Sequence, residues 1–173
     1  MQPTSPLQPQ PRHVIVRRDL PAPPAEVFIL FTEGPQLARW FCDAADSDAQ
    51  PGGEIHAVWA DDEGGEDWAR TGTWVAFEAP HLAVIAWQSA ETAHVDPAGA
   101  EVGQPAAAPP ADFLRVAIAP RTLDDGSVAS TVTVISPLLA QSRIRPEVMQ
   151  EAVQHGWQLA FAQLEAILSG QAE

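Results

Sequence analysis

The chain has 173 residues, 46% of them hydrophobic, and a net charge of −14 set by 23 acidic side chains against nine arginines and no lysine. Nine scattered arginines cannot neutralise a track of phosphates, which excludes a nucleic-acid surface and docking to an anionic membrane. The single cysteine, Cys42, excludes an intramolecular disulfide framework, and no stretch nears the ~18 apolar residues that cross a bilayer.

Residues 1–11, "MQPTSPLQPQP", are rich in Pro and Gln and are expected to form an extended or disordered tail. They have neither the basic end nor the apolar run of a signal peptide, so a cytoplasmic protein is expected. Residues 12–170 are expected to form one domain, since a chain of this length buries roughly 70% of its unfolded surface without metal or disulfide staples. "RHVIVRRDL" (12–20) is β-branched and bounded by "PAPP", which predicts a strand. Pro24 suits the first position of a helix through "AEVFILF" (25–31), with Gly34 as a left-handed cap. Pro35 opens a second short helix, "PQLARWF". Gly52-Gly53 marks a turn before the alternating strand "EIHAVWA" (54–60). The acidic "DDEGGED" (61–67) reads as a hairpin loop. Two strands follow, "WARTGTWVAFEA" (68–79) and "HLAVIAWQS" (81–89), parted by Pro80.

Residues 90–111, "AETAHVDPAGAEVGQPAAAPPA", have no period and are expected to be a flexible insertion. "DFLRVAIAP" (112–120) and "SVASTVTVIS" (127–136) predict a hairpin turning at Asp125-Gly126. Pro146 then starts a long helix. Its Met149, Val153, Trp157, Phe161, Leu164 and Leu168 step by three or four, which keeps them on one stripe. Gly156 interrupts this pattern at a cost of about 0.5–1 kcal/mol against alanine. A close approach to a strand or to the Trp157 ring is the expected compensation. An antiparallel sheet with one apolar face must cover that face, and the last helix is the element long enough to do it.

This order, with "DLPAPPAEVFILFTEGPQLARWF", "PGGEI", "GTWVAFEAPHLAVIAWQ" and "HGWQLAFAQLEAIL" in place, resembles the helix-grip fold of the START/Bet v 1-like (SRPBCC) superfamily. In detail it is similar to the AHSA1-like branch, named after the activator of Hsp90 ATPase. The resemblance spans most of residues 14–168. It implies an α+β fold, a curved antiparallel sheet of six to seven strands wrapped round a long C-terminal helix. It also implies a cavity between them, where superfamily members hold lipids, sterols or polyketides. Some members are cyclases, and the eukaryotic namesake binds a chaperone.

The aromatic residues Trp40, Phe41, Trp59, Trp74, Trp87, Trp157 and Phe161 are candidates for the wall of such a cavity; ordinary core packing is the competing reading, because aromatics dominate cores as well. Arg70, His56 and His155 are candidate polar anchors. Arg70 shares a strand face with Trp68, Gly72 and Trp74, but Val75 and Phe77 leave open which face points inward. A buried Arg70 needs a carboxylate or a polar ligand. A sealed, empty apolar void of ~300 Å³ would cost about 7 kcal/mol, which rivals the stability of a domain. A sizeable cavity is therefore expected to be wet, occupied or closed by motion of the helix. Neither a metal nor a cofactor is expected, since the five histidines show no paired spacing and "DDEGGED" does not match a calcium loop. No G-x-S-x-G stretch appears and no catalytic residue is assigned. The function expected is binding of a lipid, aromatic or polyketide-like molecule, as monomer or dimer. The alternatives are a cyclase- or hydrolase-type enzyme using the same cavity, or a chaperone-regulating interaction module.

Overall fold

The computed structural model describes residues 13–61, 63–65, 67–88, 112–138 and 145–170. The tail expected at 1–11 and the insertion expected at 90–111 lie outside these residues. In chain order the elements are β1 (His13–Leu20), α1 (Pro24–Thr32), α2 (Gly34–Leu37), β2 (Ala44–Ser47), β3 (Glu54–Trp59), β4 (Trp68–Glu78), β5 (Leu82–Trp87), β6 (Phe113–Thr122), β7 (Val128–Pro137) and α3 (Pro146–Leu168). The described strands form one seven-stranded antiparallel sheet in the order β1-β7-β6-β5-β4-β3-β2. Its two edges, β1 and β2, are joined in sequence by α1 and α2, which carry the chain from one edge to the other.

One face of the sheet is apolar, and the helices bury it. Val27, Phe28, Leu30 and Phe31 of α1 meet Trp157, Phe161 and Leu164 of α3 in the same core as Ile55, Trp74, Ile85, Val116 and Val134 from the strands. The stripe read along α3 is the buried one: Trp157, Phe161 and Leu164 are buried, while Met149, Val153 and Leu168 are half-buried towards the helix ends. The bidentate pair of Arg18 on β1 with Glu165 on α3, at 2.8 and 2.9 Å, clasps the helix to the edge strand.

Strand β4 settles which way Arg70 faces. Trp74 pairs with Ile85 and Ala76 with Val84, so Val75 is an extra residue, a β-bulge. The bulge shifts the alternation by one. Before it, Trp68, Arg70, Gly72 and Trp74 point inward; after it, Phe77 does, pairing with Ala83 and packing edge-on against Phe28 at 5.1 Å and Trp74 at 5.5 Å. Val75 is left exposed. The Gly52-Gly53 turn braces the bulge, with Gly52 N–H donating to Trp74 O and Trp74 N–H donating to Gly53 O.

Several local expectations change. Strand β2 was not predicted: "AADS" lacks β-branched and aromatic residues, and its strand character comes from pairing with β3. Helix α2 is shorter than "PQLARWF", ending at Leu37 before turns that carry Trp40 and Phe41. Gly34 is not a left-handed cap. It opens α2, and a Cβ there would stand 2.7 Å from Ala45 O, so close approach of β2 is its reason. Gly156 shows the reverse: beyond its chain neighbours and its own helix backbone, a Cβ there meets nothing within 4 Å, so no strand presses on it. Gly126 has a φ of 82°, as its tight turn requires.

Candidate ligand cavity

The interface between α3 and the sheet is not filled throughout. A cavity of about 290 Å³ opens to solvent at one end of it. Its aromatic wall is Phe41 from the turn after α2, Trp59 from β3, Trp68 from β4, Trp87 from β5 and Trp157 from α3. Leu114, Ser136 and Pro137 continue the sheet side. Val153, Gly156 and Ala160 complete the helix side, one turn apart, where small side chains leave room. The space at Gly156 is thus cavity space.

The aromatics form a connected series. Trp68 lies 4.5 Å from Trp59, Trp59 packs edge-on to Phe41 at 5.4 Å, and Phe41 stacks on Trp157 at 5.8 Å. Trp59 is oriented by its indole N–H, which donates to Phe41 O at 2.7 Å. From Trp157 the series runs inward to Phe161 and Trp40. Trp68 stands at the rim and is 49% exposed.

Arg70 is the one ionisable residue among the described residues lining the cavity. Its guanidinium lies 4.9 Å from the Trp87 ring centre and 5.8 Å from that of Trp68. Nη2 donates to Asp112 Oδ2 at 3.1 Å, in an ion pair largely shielded from solvent. Burial pulls the Arg70 pKa down and Asp112 only partly restores it; a guanidinium nevertheless stays charged at any physiological pH. Trp87 lies across Gly72, where a Cβ would stand 2.9 Å from the ring and 2.6 Å from Ile85. Gly72 thus makes room for the ring on which Arg70 stacks.

The candidates from the sequence separate into three groups. Phe41, Trp59, Trp87, Trp157 and Arg70 come together at the cavity. Trp40, Trp74 and Phe161 do not line it; they are buried in the core behind it. The indole N–H of Trp40 donates to Leu30 O at 2.9 Å and that of Trp74 to Ser47 Oγ at 3.1 Å, so both hold neighbouring segments together. His56 and His155 are exposed and outside the cavity. His56 Nδ1 is 3.0 Å from Thr71 Oγ1 on the outer face of the sheet. Trp68 is the lining aromatic absent from the candidate set. Its shared face with Arg70 was visible, but the bulge that turns that face inward was not.

Cys42 is buried beside this region. Burial first, and the neighbouring Asp43 carboxylate second, push its thiol up from 9.0 to about 11, against a backbone hydrogen bond with Val58. Among the described residues no cluster of three His, Cys, Asp or Glu side chains is arranged to hold a metal. No helix among them is long and apolar enough to cross a membrane.

A family model described as Activator of Hsp90 ATPase homolog 1-like protein matches residues 21–169. Among curated proteins, no sequence matches. Solved structures share the fold. A protein from Nitrosomonas europaea is 20% identical with a TM-score of 0.58, over 96% of this chain and 99% of that one. The AHSA1-like protein from Aeromonas hydrophila is 15% identical with a TM-score of 0.59, over 90% and 93%. The Aha1 dimer from Colwellia psychrerythraea is 10% identical with a TM-score of 0.62, over 93% and 98%.

Proposed function

This chain belongs to the family of Activator of Hsp90 ATPase homolog 1-like proteins, and on that premise we propose that it binds an apolar small molecule between its sheet and α3. The observation that carries this reading is the open, aromatic-walled cavity of about 290 Å³. That volume is at the low end for ligand sites, which run from roughly 300 to 1,000 Å³, and suits a single small aromatic or acyl body. Phe41, Trp59, Trp68, Trp87 and Trp157 provide flat apolar contacts at little cost in side-chain entropy. The enzyme reading called for a histidine or carboxylic acid directed into the cavity. His56 and His155 are outside it, so neither is placed to serve that reading.

The experiment is an amide NMR titration with fatty acids, a sterol, a flavonoid and an aromatic polyketide. Saturable shifts centred on Trp59, Trp87 and Trp157 are expected for the ligand class that fits. A flat response across the panel overturns the proposal and moves attention to the outer surface and the interaction-module reading.

A further inference from the structure

Among the described residues that line it, the cavity is apolar except at Ser136 and Arg70, and only Arg70 bears a charge. We propose that its occupant is an anionic amphiphile, a carboxylic acid with an aromatic or short acyl body, whose carboxylate pairs with Arg70. The inference rests on the binding role argued above and specifies its chemistry.

Three observations carry it. First, a guanidinium offers five N–H donors in a planar fork, and a carboxylate is best held by two of them in parallel. Among the described residues the Arg70 side chain makes a single hydrogen bond, from Nη2 to Asp112 at 3.1 Å. Second, the fork is held in place. Its Cζ lies over the Trp87 ring, 4.9 Å from the ring centre, and the backbone N–H of Trp87 donates to the backbone O of Asp112 at 2.9 Å, so the residues that stack on and pair with the guanidinium are tied together through their main chains. Third, Asp112 offsets the desolvation of Arg70 only in part, as the lowered guanidinium pKa records. A half-buried cation with spare donors, on the wall of a cavity whose other described lining is apolar but for Ser136, selects a ligand with an acid at one end. A single cation suits a carboxylate better than a phosphate dianion, which gathers several basic groups.

The test uses matched pairs: octanoate with 1-octanol, and 1-naphthaleneacetate with 1-naphthaleneethanol, titrated calorimetrically into the full chain near pH 7, where both acids are ionised. The wild type is expected to prefer each acid that fits over its alcohol by about tenfold or more. Arg70→Gln should bring that ratio to about one, and Arg70→Lys, which keeps charge but loses the fork, should leave it intermediate. Asp112→Asn removes the competing carboxylate and should widen the ratio. This second variant tests the pair should Arg70→Gln fail to fold. Equal binding of acid and alcohol by the wild type, or a preference that survives in Arg70→Gln, overturns the anionic anchor while the cavity reading stands. No binding of any of the four overturns the anionic anchor, and the cavity reading is then decided by the sterol, flavonoid and polyketide of the NMR panel.

Discussion

Two glycines next to the cavity act in opposite ways. At Gly72 an added methyl would press on Ile85 and Trp87, on a strand buried between two others. Gly72→Ala is expected to cost about 1–3 kcal/mol by overpacking and to displace the Trp87 ring, measurable as a lower denaturation midpoint and a changed tryptophan emission. At Gly156 the added Cβ has open space on a helix. Gly156→Ala should therefore stabilise the protein by about 0.5–1 kcal/mol, whereas Gly156→Phe should fill the cavity and abolish ligand-induced shifts. A stability loss in Gly156→Ala would mean that the glycine answers a contact absent here. Cys42 gives a pH prediction. Its thiol is pushed up to about 11 in the folded chain, so the unfolded chain loses its proton first as pH rises. The stability this confers is present below about pH 9 and is lost progressively towards pH 11. Cys42→Ala should flatten that part of the stability–pH curve, and the wild-type thiol should resist alkylation near neutral pH.

At the scale of elements, α3 is held by its apolar stripe far more than by charge. Leu164 is fully buried, and Leu164→Ala is expected to cost about 2–5 kcal/mol in urea denaturation. The Arg18–Glu165 clasp is substantially exposed, so Glu165→Gln should cost less than about 1 kcal/mol near neutral pH. Arg18 holds the Glu165 carboxyl below its ordinary value, chiefly by hydrogen bonding. The clasp therefore contributes above the ordinary glutamate range and is lost as pH falls through the folded-state value. Wild type and Glu165→Gln should converge in acid. These elements differ in how far the sequence reveals them. Helix α3 was legible because its period, its starting proline and its length agree. Strand β2 was not, since "AADS" acquires its conformation only from β3 beside it. The cavity was half legible: tryptophans reveal that a wall exists, but wall and core use the same residue types. Trp40 and Trp74 went to the core, while Trp68 was overlooked, because one bulge at Val75 decides which face of β4 is inside and alternation alone cannot register it.

Over the whole molecule the net charge of −14 opposes the local pull of Arg70. If the occupant is an acid, it approaches through a repulsive field and meets its cation only at contact. Raising ionic strength screens the field over roughly 10 Å or less, so the association rate of octanoate should rise with salt in stopped-flow fluorescence. A rate that falls with salt would place an attractive field at the mouth instead. The strand order bears on time as well as space. Strand β1 leaves the ribosome before the other described strands of the sheet, yet among them its only neighbour is β7, with Val14 opposite Ser136. Every element from α1 to β7 must be synthesised before that pair can zip. Until then β1 is an unclaimed ribbon, and non-local pairings of this kind are slow to form and exposed to aggregation while they wait. The Arg17-Arg18-Asp19 run within it keeps that ribbon charged during the interval.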